Sequence, residues 1–339
     1  MHVGTSYGLL EAARWTGRKM AVLGVSASLV VGLYQGCGWA WLALPWPVIA
    51  MLGTAASFIV GFKNAQTYQR TVEAQQIWSA ITASSRYWGL LSRDFPDDAS
   101  AATGLIERHL AWLTALRYQL RTPRVWEVAA RAPDAAYRER RFAVAEHGVK
   151  LDQALLGYLA PDTVARLMKH HNIPLALIGE QSLAIRALFA GQKIPVLHHT
   201  EMQKTLKDLA DGQARAERLK NFPYPRQYAL VNTMLVAAFA LLLPLGVVRE
   251  FAQLKAPGAM QALLPWLAIP FSVLVAWMYL ILDQVGESTE NPFEGGANDV
   301  PMLEAADVSI AYCAKPVLRA RATYAIDHCG LDAVLNLFA

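Results

Sequence analysis

Charge is scarce in this chain. Asp, Glu, Lys and Arg make up 17% of its 339 residues, whereas 54% are hydrophobic. That balance is too apolar and too poor in charge for an ordinary soluble protein, so a membrane protein is expected. Cysteine is scarce as well: Cys37, Cys313 and Cys329 stand far apart with no C-x-x-C spacing. This excludes a disulfide framework and a cysteine zinc site, and leaves small packing residues. No G-x-S-x-G, P-loop or H-E-x-x-H occurs, so nothing points to hydrolysis or nucleotide chemistry and no enzyme is expected. His170-His171 and His198-His199 are adjacent pairs, but neighbours on a helix point about 100° apart and neither pair chelates on its own. With no cysteine or acidic cluster to complete a tetrahedral set, no metal site is expected. Internal repeats and low-complexity tracts are missing too. Arg14, Arg18 and Lys19 precede an apolar stretch that lacks a small-residue cleavage site; the stretch is expected to be retained rather than removed as a secretory signal.

Long apolar runs are what the chain does have. A bilayer core about 30 Å thick needs roughly 20 apolar helical residues, and the segments Tyr228 to Val248 and Ala262 to Leu282 meet this cleanly. The region from Met20 to Phe62 carries no charge and is long enough for two spans. The glycines and aromatics of Tyr34 to Trp41 supply the turn between them. Four membrane helices result. Residues 63–227 hold 23 of the 31 Lys and Arg but only 16 of the 27 Asp and Glu. The positive-inside bias therefore places this basic block and both termini in the cytoplasm. The block is rich in Ala, Leu, Arg and Gln and is punctuated by Pro123, Pro133, Pro161, Pro174 and Pro195, which reads as a helical domain. The expected divisions are 1–19, 20–62, 63–227, 228–282 and 283–339.

Two stretches carry more specific information. Thr54, Phe58 and Phe62 are four residues apart, so they drift only about 40° per step and form one stripe on a helix. Such a stripe either packs against a neighbouring helix or faces an axis shared by several subunits, stacking Phe rings into a narrow, water-repelling neck. The second stretch follows the last apolar run. There Asp283, Glu287, Glu290, Glu294 and Asp299 surround Asn291-Pro292-Phe293 and a Gly-Gly turn, an acidic clasp directly after a charge-free span.

The run from Gly61 to Arg86, with Asn64, Tyr68, Arg70, Glu73, Ala74, Trp78, Ser85 and Arg86, resembles the signature of the bestrophin family. So does the E-N-P-F at Glu290, Asn291, Pro292 and Phe293, followed by Asp299 and Pro301. The resemblance extends over nearly the whole chain and suggests a bacterial homologue. It implies an all-α membrane protein: a homopentamer in which each subunit gives four transmembrane helices and a helical cytoplasmic domain, with one ion pathway on the five-fold axis. Thr54, Phe58 and Phe62 match the neck, and by position Leu197, with Ile194 close behind, matches a second constriction in the cytoplasmic domain. Two departures stand out. Thr71-Val72 replaces the aromatic pair usual after the arginine, and the acidic run that binds calcium in gated relatives is reduced to Glu294 and Asp299. A calcium site needs six to eight oxygens, so calcium gating is not expected, nor is any other cofactor. The expected partners are further copies of the chain, membrane lipid and small inorganic ions, with no nucleic acid; the expected location is the bacterial inner membrane. The function implied is an ion channel for small anions such as chloride. A cation-conducting homologue and a non-conducting membrane scaffold are the alternatives. A secondary transporter is disfavoured, since it would be expected to show inverted repeats and an intramembrane ionisable residue, and the four apolar runs contain no Asp, Glu, Lys or Arg.

Overall fold

The computed structural model describes residues 9–125, 127, 146, 148–258, 260–293, 310–312 and 324–326. The helices are α1 (Leu9–Gly36), α2 (Trp46–Asp94), α3 (Ala99–Arg121), α4 (Leu151–Leu155), α5 (Pro161–Leu167), α6 (Ile173–Ala190), α7 (Val196–Asn221), α8 (Arg226–Gln253), α9 (Met260–Leu263) and α10 (Ala268–Ser288). Two three-residue strands, β1 (Ile310–Tyr312) and β2 (Tyr324–Ile326), pair in parallel, with Ile310 opposite Tyr324. This small ribbon is the one departure from an all-helical chain among the described residues.

The chain divides into two compact units. Among the described residues, 9–71 and 223–291 form the first, and 72–222 with 292–293, 310–312 and 324–326 belong to the second. The division falls at Thr71 on α2, beyond Phe62 where the apolar run stops, because the polar residues just after Phe62 still belong to the first unit. Its core joins α1, α2, α8 and α10 through Leu23, Val31, Ile49, Ala56, Phe239, Leu243, Val247 and Ala276. Two glycines allow the helices to approach closely. A Cβ on Gly246 would lie 2.7 Å from the Ile49 side chain, and one on Gly53 would lie 2.8 Å from the Phe239 ring. Small residues at such crossings are how membrane helices gain packing without a hydrophobic drive between them. On the outside, Val22, Val25, Leu29, Leu230, Met234, Leu274 and Met278 are exposed, a surface suited to lipid rather than water.

The second unit is a helical bundle around Trp88, Leu105, Trp112, Leu116, Leu177, Ile185, Met202 and Leu209. Asp98 caps α3, its carboxylate accepting from the backbone N–H of Ser100 at 2.9 Å, and Asn172 caps α6, accepting from Leu175 at 3.0 Å; both are favoured N-cap residues.

By length and composition, five helical segments among the described residues are apolar enough to cross a membrane, one more than the four expected. The additional one is α6. It turns Leu177, Gln181, Ile185 and Leu188 into the core of the second unit. There the Gln181 amide donates to the Leu105 carbonyl at 2.6 Å and its oxygen accepts from Arg108 at 2.8 Å. One face of this apolar helix is thus covered by protein.

Candidate functional site

Helix α2 buries one face and leaves the opposite one open. Ile49, Ala56, Val60, Lys63 and Thr67 are buried. On the other side Thr54, Phe58 and Phe62 are all exposed, Phe58 at 76% and Phe62 at 69%. Among the described residues, the stripe expected from the spacing is therefore left largely uncovered within the subunit. Every exposed residue from Met51 to Gln69 is uncharged. Thr54 satisfies its own hydroxyl by donating to the Ala50 carbonyl at 2.9 Å, so it carries no unmet donor into that face. Helix α2 is tied to α10 by Tyr279, whose hydroxyl shares a 2.6 Å hydrogen bond with Ser57 and donates to the Gly53 carbonyl at 3.2 Å. The Tyr279 ring lies 4.7 Å from that of Phe239.

Directly beyond Phe62 lies a cluster that the apolar pattern did not reveal. Lys63 is 0% exposed, and its Nζ lies 2.6 Å from Oδ1 of Asp283, itself 4% exposed. Asn232, also fully buried, donates its amide to the same carboxylate oxygen. Each charge sits one residue past the end of an apolar run, where a pattern of composition places it in solvent. The available signal was the matching position of Lys63 and Asp283 at the ends of two consecutive-hairpin spans.

The clasp follows at the end of α10. Glu290 and Asn291 are both 7% exposed. Arg70 Nε donates to the Glu290 carbonyl at 3.0 Å, and the Thr289 hydroxyl lies 3.0 Å from that of Thr67. The turn is thus tied to the polar continuation of α2. Pro292 is half-buried, and Phe293 packs against the core of the second unit. Asp299 and Glu294 lie outside the described residues.

In the second unit, Leu197 stands in the first turn of α7 and is 77% exposed. Ile194 does not share that exposure. At 3% it is a core residue, because it precedes the helix and turns into the bundle, so it offers no surface to a pore. Next to Leu197, the His198 ring stacks on Phe95 at 3.7 Å and His199 lies 4.7 Å from Phe189. These contacts fix the start of α7. His170 and His171 are exposed in the turn before α6.

A family model described as the bacterial and fungal bestrophin protein matches residues 17–311. The chain is 26% identical over 257 residues to the voltage-dependent anion channel-forming protein YneE of Salmonella typhimurium, covering 75% of this chain and 70% of that one. It is 24% identical over 253 residues to the voltage-dependent anion channel-forming protein mll4386 of Mesorhizobium japonicum, covering 74% and 69%. A crystal structure of a bacterial bestrophin homologue from Klebsiella pneumoniae superposes with a TM-score of 0.67 at 21% identity, over 85% of this chain and 93% of that one, which shows a shared fold. With the motifs, the helical architecture and the family match in agreement, this chain is an integral membrane protein and belongs to the bestrophin family.

Proposed function

We propose that the chain is one subunit of a homopentameric membrane channel for small anions such as chloride, its pathway lined by the exposed face of α2. The observation that carries this reading is that Thr54, Phe58 and Phe62 stand exposed on one uncharged face while the opposite face of the same helix is buried. A ring of such faces makes an apolar neck. It impedes ions by dewetting, and the positive edges of its aromatic rings favour anions modestly. The names of the relatives, anion channel-forming proteins, support the sign of the permeant ion and a channel rather than an enzyme. In this reading α1, the first part of α2, α8 and the segment ending in α10 cross the bilayer. The second unit lies in the cytoplasm, with both termini on the same side. Leu197 narrows the pathway a second time, and the clasp braces the neck without calcium.

The test is a planar bilayer recording of the purified protein under a potassium chloride gradient. The expected reversal potential lies on the chloride side of zero. A reversal on the potassium side would assign a cation channel, and a silent bilayer would leave only a scaffold.

A further inference from the structure

We infer that the buried Lys63–Asp283–Asn232 cluster is the positioning device of the conducting face: it locks the rotation of α2 about its own axis. This rests on the reading of Thr54, Phe58 and Phe62 as the neck.

At about 100° per residue, Lys63 stands roughly 140° around the helix from Phe58 and about 180° from Thr54. It therefore lies on the face that packs inward, in line with Ala56, Val60 and Thr67, which are all buried. The rest of that buried line is apolar or carries a small hydroxyl. Apolar surfaces slide and turn against one another at little cost, since their attraction is non-directional. An ion pair is directional and, in a membrane protein, marks a functional position by default. Lys63 Nζ reaches Asp283 Oδ1 at 2.6 Å and the Asp283 carbonyl at 3.4 Å, so one residue of α10 supplies both acceptors. Asn232 brings α8 into the same contact by donating to that carboxylate. Three helices thus meet at a single charged point, one residue after the neck stripe ends.

The surroundings make the seat shape-selective. Gly286 lies beside the stem of Lys63: a Cβ there would come within 3.3 Å of Lys63 Cε and 2.4 Å of the Asn64 side-chain oxygen. Turning α2 in either direction drives Lys63 or Asn64 against α10, or withdraws the ammonium from its carboxylate into apolar surroundings. Among the described residues, the side-chain oxygens of Asn64 and Asn232 are buried with no hydrogen-bond donor.

A purely structural pair and a positioning pair make different predictions. Replacing both members of a buried ion pair by apolar residues of similar size is often neutral for stability, whereas removing one member strands a buried charge. Lys63→Met alone is therefore expected to lose assembly. The double variant Lys63→Met with Asp283→Leu is expected to assemble with a native oligomer mass and a melting temperature lowered only by the loss of the acceptor of the Asn232 amide. Its mean open time and its anion-to-cation permeability ratio are each expected to shift several-fold in bilayer recordings, because the neck face is no longer held in one rotation. Phe58→Ala is recorded alongside to keep the two readings distinct. If Phe58→Ala alters the current and the double variant gates and selects as the native channel does, the positioning role is overturned and the neck stands. If Phe58→Ala changes nothing, the neck reading fails first and this inference fails with it. A double variant that does not assemble also overturns it, since the pair then serves stability alone.

Discussion

At the scale of single residues, the side chains of interest separate by what they touch. Phe58 and Phe62 stand 76% and 69% exposed. Truncating a buried ring costs roughly 3 to 5 kcal/mol, but these rings are mostly exposed in the subunit and have little such contact to lose. Phe58→Ala is expected to purify in near-normal yield with larger or more persistent currents, and Thr54→Ala to respond less. Unchanged amplitude and selectivity in both Phe58→Ala and Phe62→Ala would move the pore to another face. His109 is the opposite case. Packed between Trp88 and Trp112, its imidazole is pulled down to about 3 by burial. The unfolded chain takes up a proton near pH 6.5, whereas the folded one does so only near the lowered value. The stability that His109 protects is therefore complete above about pH 6.5 and drains as pH falls, by up to about 1.4 kcal/mol per unit. Melting temperature measured between pH 7.5 and 5 should fall for the native protein and fall less for His109→Leu.

Elements meet here through close contacts that the apolar pattern alone does not specify. Gly246 of α8 lies against Ile49 of α2, with room for a hydrogen and not for a methyl group. Gly246→Ala is expected to cost about 1 to 3 kcal/mol through overpacking. Adding Ile49→Ala should recover part of that loss, because the clash is removed while one apolar contact is given up. Thermal unfolding of the two single variants and the double would show this as a non-additive cycle, and strict additivity would mean that α2 and α8 do not meet at this point. Helix α6 teaches the complementary lesson. Its composition suits a membrane span, yet Gln181 and its partners Leu105 and Arg108 build it into a protein core. Apolar length was legible in the sequence, but what covers it was not, since lipid and protein are equally apolar neighbours.

For the whole molecule, the proposed pathway needs several copies, since the exposed stripe of one chain encloses no pore. Mass measurement in mild detergent is expected to give five subunits; a monomer or dimer would defeat the channel as proposed. Calcium bears on the clasp. With Glu294 and Asp299 the remaining carboxylates of the reduced run, micromolar calcium is expected to leave both melting temperature and open probability unchanged. A ligand that binds only the native state must raise its stability by mass action, so a calcium-dependent rise in melting temperature would show a working site.

The membrane character of this protein, its family and the alignment of Thr54, Phe58 and Phe62 on one stripe are legible in the order of its residues. Each of these follows from local order: composition, a motif, or the period of a single helix. Tertiary structure alone decided which stripe stays open, that Ile194 turns into a core while Leu197 does not, and that Lys63 and Asp283 meet in a buried pair. Burial depends on a partner, and for Lys63 that partner lies 220 residues away along the chain. No local pattern reports a contact at that separation; only the packing of α2 against α8 and α10 brings the two charges out of water together.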